Sequence, residues 1–203
     1  MSAVAEAVAT LQSGGILVYP TESVYGIGTA LSAGGAGVER VRQAKGSAKG
    51  RPFLLLAADR EMAFGLWSEV PDSARVLAER AWPAPLTLIG PARSDLPPEF
   101  LGESPEGIPT VAVRVPSDPW LLGLLKALGE PLLSTSANRA GGTPPKTFSA
   151  IPLGALAPDL AIDRGTCEWG VPSTLVSCLG AKPVVLREGA YRLELEEGNS
   201  RSE

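Results

Sequence analysis

Thr110–Ser134 reads TVAVRVPSDPWLLGLLKALGEPLLS, and this stretch decides the fold class. Thr110-Val111-Ala112-Val113-Arg114-Val115 alternates small or polar with β-branched residues, the period of a strand. Trp120 to Leu128 carries leucines at helical spacing, and Pro131-Leu132-Leu133-Ser134 is a second short apolar run. Strand, helix and strand in succession are the unit of an α/β domain.

The pattern extends in both directions. Upstream, Val4, Val8 and Leu11 share one helical face that stops at Gly14-Gly15, and Ile16-Leu17-Val18-Tyr19 reads as a strand buried on both faces. Val38, Val41 and Ala44 set a helix into Lys45-Gly46, and Phe53 to Ala57 is another buried strand. Asp59 caps a helix through about Trp67, and Pro71-Asp72-Ser73 opens one through about Trp82. Leu86 to Ile89 reads as a strand and the proline-rich Ser94 to Pro109 as a surface excursion. Downstream, a weak helical stretch, Leu160 to Asp163, Thr174 to Cys178 and Pro183 to Arg187 complete the series. No repeat or linker separates two cores. The expectation is one α/β domain over 1–190, a twisted mixed sheet with flanking helices, and a polar tail over 191–203.

Composition bounds the chemistry. The 203 residues hold 18 Lys+Arg against 22 Asp+Glu, a net charge of −4 that disfavours a globally basic nucleic-acid binder but allows a local basic cleft. Histidine is absent, which removes imidazole bases, Ser-His triads and His-ligated metals. Cys167 and Cys178 are too few for a four-thiolate zinc site and are expected as reduced thiols. No Lys or Arg precedes Arg40, and the apolar runs are too short to span a bilayer, so a cytoplasmic protein without a membrane anchor is expected.

Polar clusters stand at strand ends, where α/β sheets build ligand sites. Lys45-Gly46-Ser47-Ala48-Lys49-Gly50-Arg51 gathers three cations and two glycines, able to converge on an anion or to be only a solvated turn. It lacks the Gly-Lys-Ser/Thr ending of a Walker loop. Ser134-Thr135-Ser136-Ala137-Asn138 offers hydroxyls and an amide for phosphate or carboxylate oxygens, or else caps a helix. Arg114 shares the face of Ala112, and both it and Arg187 are either solvated or able to fork a carboxylate. Glu22 is the lone carboxylate near the first loop, so a paired-carboxylate mechanism has no support.

Together, Tyr19-Pro20-Thr21-Glu22-Ser23-Val24-Tyr25-Gly26, Ala44-Lys45-Gly46, Ala112-Val113-Arg114-Val115-Pro116, Ser134 to Asn138, Pro172-Ser173-Thr174 and Arg187-Glu188-Gly189-Ala190 resemble the single-domain YrdC-like threonylcarbamoyl-AMP synthases. The resemblance runs from about Gly14 to Ala190. It implies a YrdC/RibB-like fold with a concave, positively charged cavity, and a nucleotidyltransferase that joins L-threonine, bicarbonate and ATP into threonylcarbamoyl-AMP and pyrophosphate. The product would pass to the tRNA threonylcarbamoyl-transfer machinery, with RNA contact left open, and Mg²⁺ would accompany ATP.

By motif, the resemblance implies threonine contacts at Ser23, Arg114, Ser136 and Ser173. It implies nucleotide contacts at Asn138 and Arg187, with Arg51, Thr110 and Lys146 or Thr147 as further candidates and Lys45 as the catalytic cation near the phosphates. The chain departs where the family's Lys-x-Arg becomes Lys45-Gly46-Ser47, losing a guanidinium; Lys49 and Arg51 are the nearest replacements. That departure leaves open a non-catalytic RNA-binding or assembly protein retaining the cavity, and because fold does not fix substrate a carbamoyl-transfer or other ATP-using relative that takes a different amine also stays open.

Overall fold

The computed structural model describes residues 2–47 and 53–193. In chain order the helices are α1 (Ala3–Gln12), α2 (Gly34–Lys45), α3 (Arg60–Phe64), α4 (Asp72–Ala81), α5 (Pro119–Leu128) and α6 (Leu153–Leu156). The strands are β1 (Leu17–Tyr19), β2 (Gly26–Ala30), β3 (Leu54–Leu56), β4 (Leu86–Pro91), β5 (Gly102–Glu103), β6 (Pro109–Arg114), β7 (Leu132–Ser136), β8 (Leu160–Ala161), β9 (Thr174–Ser177) and β10 (Val184–Arg187). They form one mixed sheet in the order β10-β9-β4-β6-β3-β7-β2-β1-β8, with β5 paired to β6. The β3–β6, β4–β9 and β1–β8 pairs are parallel and the others antiparallel.

Local chemistry explains the helices. Asp118 caps α5 by accepting from the Leu121 amide at 2.8 Å, Pro119 opens its first turn, and Gly129, at φ 75°, closes it. Asp59 caps α3 in the same way through Met62 at 2.8 Å, but this helix ends at Phe64, short of the expected Trp67.

The inner strands of the sheet are largely buried on both faces, which is why they read as continuous apolar runs. Ile16, Val18, Leu55, Val113 and Leu133 join α2, α3 and α4 on one face. Leu17, Tyr19, Leu56 and Leu132 join α1 and α5 on the other. Leu121, Leu124, Leu125 and Leu128 of α5 are all buried there, each worth about 2 kcal/mol.

On that second face the helices cover only part of the sheet. The same parity that turns Leu132 and Leu56 under the helices turns Ser134, Ser136, Leu54, Ala112 and Arg114 toward an uncovered concavity, so Arg114 shares the face of Ala112, as its position in the alternation requires.

Three features differ from the sequence expectation. Strand β2, Gly26-Ile27-Gly28-Thr29-Ala30, lies between β1 and β7, yet two glycines hide it from any β-propensity reading. A Cβ at Gly28 would stand 1.7 Å from the Leu133 carbonyl oxygen, so that close approach demands glycine. Second, β7 runs on past its expected end at Ser134 to include Thr135 and Ser136, and no helix starts there, which removes the cap reading. Third, the Ser94–Pro109 excursion returns to the core, where Phe100 is buried and β5 pairs with β6.

Tyr191 and Leu193 also pack on the core; the remaining tail residues lie outside the described ones. Cys167 and Cys178 are free and buried, and no helix among the described residues is long and apolar enough to cross a membrane.

Candidate active site

The first strand ends in Pro20, and Thr21 then builds a tight turn. Its hydroxyl accepts from the Ser23 and Val24 amides at 3.0 and 3.2 Å and donates to the Val24 carbonyl at 2.8 Å. Two neighbouring amides clamp the turn from outside: Trp169 donates to the Glu22 carbonyl at 3.0 Å and Gly170 to that of Ser23 at 2.8 Å. The turn therefore presents Glu22 and Ser23 inward.

Both meet Arg114 at the end of β6. Its Nη2 donates to Glu22 Oε1 at 2.6 Å and to Ser23 Oγ at 2.9 Å, and the arginine is 4% exposed. Burial overturns the solvated-strand reading, since an arginine this deep requires a partner. Burial alone raises the Glu22 carboxyl, but the Arg114 charge, its hydrogen bond and the Ser117 amide outweigh that and hold Glu22 below the usual glutamate range.

The concavity above has a volume of about 290 Å³. Arg114, Ser136, Ser173 and Arg187, all expected site residues, line it, together with Thr21 and Ser134, which belong to the quoted motifs but had no assigned role, and Thr87, which no motif contained. Register explains the small, polar floor: Gly26 pairs with Ser136, and Leu54 with both Ser134 and Ala112. Ser134 Oγ accepts from Tyr19 at 2.6 Å, and burial pushes that phenol well up, so it stays a neutral donor.

At the far side, Ser173 shares a 2.7 Å hydrogen bond with Thr87 and is held by Arg187 of β10. Arg187 is exposed overall; partial loss of solvent around its guanidinium first, and the Arg114 charge second, lower it from its usual value. Two guanidiniums thus face one cavity within electrostatic reach of each other.

The other candidates stand elsewhere. Ser23 lies behind Arg114, fully buried. Lys45, at the end of α2, donates to the Ser136 and Asn138 carbonyls at 2.5 and 2.8 Å, bracing the loop behind the wall; burial lowers it to about 8. Asn138 turns its amide onto the Arg139 and Gly142 carbonyls at 2.8 and 2.7 Å. Thr110 lines an adjoining cavity of about 500 Å³ that shares Ile89 with the first. Lys146 is exposed and crosses Gly170, while Thr147 bridges to Thr166. Lys49 and Arg51 lie outside the described residues.

With this geometry in view, the family model Sua5_yciO_yrdC, described as "Telomere recombination", matches residues 9–189. The chain belongs to this family. Threonylcarbamoyl-AMP synthase of Bacillus subtilis (strain 168) is 34% identical over 198 residues, 94% of this chain and 54% of that protein. Among solved structures, P. abyssi Sua5 complexed with L-threonine superposes with a TM-score of 0.81 at 32% identity, covering 92% of this chain and 54% of that one. E. coli YciO superposes at 0.78 with 30% identity, covering 92% and 88%. The chain thus spans about half the length of the B. subtilis and P. abyssi relatives and nearly all of YciO. The expected fold and family are those observed.

Proposed function

We propose that the chain is an L-threonylcarbamoyladenylate synthase, which makes threonylcarbamoyl-AMP and pyrophosphate from L-threonine, bicarbonate and ATP for tRNA modification. The single observation that carries this reading is the pair of guanidiniums, Arg114 and Arg187, facing one cavity whose remaining described lining is hydroxylic or apolar. Such a site attracts two anions at once, and the reaction brings together an amino-acid carboxylate and a phosphate chain. The L-threonine complex of the P. abyssi relative supports the first of these.

In this reading Arg114 receives the threonine carboxylate, with the Ser136 and Ser173 hydroxyls close by. Arg187 meets the nucleotide phosphates. The threonine amine attacks the carbon of bicarbonate, an N–C bond forms as the bicarbonate hydroxyl leaves with an amine proton as water, and the resulting carbamate's anionic oxygen attacks the α-phosphorus. The α–β phosphoanhydride bond breaks and pyrophosphate leaves. The nucleophile already carries its charge, so positioning and cations suffice and a histidine-free chain can do the work.

Among the described residues no cluster of three or more His, Cys, Asp or Glu side chains that could hold a metal ion stands together, no carboxylate lines the cavity, and Glu22 is held by Arg114. Mg²⁺ in this reading enters with the substrate as MgATP, carried on the phosphates as this hard ion commonly is. Lys45 serves the reading as the brace that holds Ser136 in the wall.

The test is pyrophosphate release from MgATP and bicarbonate, with and without L-threonine, with L-serine as the control amine. Release that requires threonine supports the reading. A folded protein that releases none overturns it.

A further inference from the structure

Glu22 does more at this site than neutralise a buried charge. Arg–carboxylate pairs frequently close as a two-pronged fork, which satisfies both partners. Here the contact is single-pronged, through Nη2 and Oε1, and Arg114 Nε and Glu22 Oε2 are both buried without a hydrogen-bond partner among the described residues. Arg114 is therefore anchored but not saturated.

The anchor is itself fixed. Glu22 Oε1 accepts from the Ser117 amide at 3.0 Å as well as from Arg114, and the Glu22 peptide is pinned by Trp169. Ser23 Oγ takes a second hydrogen bond from the same Nη2, so rotation of the guanidinium would break two contacts at once. Arg187, which lines the same cavity, repels Arg114, whose charge Glu22 meets by direct contact.

We infer that Glu22 is a positioning residue for the amino-acid subsite: it locks the Arg114 guanidinium in one orientation, so that the part of it that lines the cavity is held ready for the incoming carboxylate. The amino acid meets a pre-oriented cation and loses less freedom on binding. ATP, bound from the Arg187 side, gains nothing from this lock, so the effect is selective. The amino-acid arm of this inference rests on the synthase reading; the orientation of Arg114 does not.

The test uses the whole chain with Glu22→Gln, isosteric and uncharged, and Glu22→Asp, charged but one methylene shorter. The first readout needs no ligand: ¹⁵N NMR of the Arg114 side chain, assigned by its loss in Arg114→Lys. Distinct Nη signals in the wild type should coalesce in Glu22→Gln and broaden to an intermediate degree in Glu22→Asp. The second readout is calorimetry. L-threonine should bind about tenfold more weakly to Glu22→Gln, the scale on which outer hydrogen-bond partners act, with an intermediate loss in Glu22→Asp and ATP affinity held within about twofold.

Unchanged Arg114 signals and threonine affinity overturn the inference, as does equal weakening of both ligands. If Glu22→Gln does not fold, the selective loss in Glu22→Asp is decisive by itself. A wild-type protein that binds no L-threonine overturns the synthase reading instead, and the Arg114 signals then judge the lock alone.

Discussion

Arg187 grips the main-chain carbonyl of Ser173 with two guanidinium nitrogens, Nη2 at 2.8 Å and Nε at 3.2 Å. The cation that faces the cavity thereby also fixes the strand end that carries a cavity hydroxyl. Arg187→Ala should weaken ATP binding by about tenfold or more, since a hydrogen bond to a charged group contributes roughly 1.5–3 kcal/mol. A smaller loss for L-threonine should follow from the freed Ser173. Calorimetry with each ligand checks both, and unchanged ATP affinity would contradict the assignment.

Gly189 stands against the same segment. A Cβ there would lie 2.4 Å from the Pro172 carbonyl oxygen and 2.5 Å from the Thr174 nitrogen, so the backbone on both sides of Ser173 must yield. Gly189→Ala should cost about 1–3 kcal/mol in urea unfolding and lower pyrophosphate release beyond what the stability loss explains. Wild-type turnover in a destabilised Gly189→Ala protein would show that Ser173 placement is unimportant.

Acid should reveal the Glu22–Arg114 pair. Glu22 is held below its ordinary value of 4.5 in the fold, so its contribution to stability is fully present above that pH and is lost as pH falls through the lower, folded value. Removing one partner of a buried pair costs about 3 kcal/mol. Urea midpoints should therefore place Glu22→Gln well below the wild type at pH 7, with the gap narrowing below about pH 4.5. A gap that stays constant to pH 3 would refute this.

Lys45 should shift stability with pH in the same direction, but because its buried charge is a cost instead of a gain. Burial lowers it from 10.5 to about 8, so between those values the unfolded chain holds a proton that the folded chain has released. The cost of burying the ammonium is present in full below pH 8 and is relieved as pH rises toward 10.5. A neutral amine still has two N–H donors, enough for the Ser136 and Asn138 carbonyls. Wild type should therefore gain stability relative to Lys45→Met between pH 8 and 10, and the Lys45 ¹³Cε signal should titrate near 8. A midpoint at the ordinary lysine value would sink this prediction.

The glycines of β2 mark where sequence reading stops. Gly26-Ile27-Gly28 has no strand propensity of its own; it pairs because β1 and β7 close on it, and only their approach explains why Gly28 tolerates no side chain. The hydroxyls of Ser134 and Ser136 carried a legible polar signal. Their place within β7 depends on pairing with Gly26 and Gly28, which no local pattern encodes.

By itself the sequence determined the alternation of strands and helices, the caps at Asp59 and Asp118, the parity that puts Arg114 with Ala112, and the motif order that marks the family. All of these depend on neighbours a few residues apart, where backbone periodicity operates. Only the tertiary structure decided that Arg114 is buried against Glu22 and Ser23, that Lys45 and Asn138 brace the wall while Ser134 and Thr87 line it, and that Thr110 opens into the adjoining cavity. Those relations join segments far apart in the chain. Sheet register and the partial cover of one sheet face by α1 and α5 bring them together, and neither is written in any single stretch of residues.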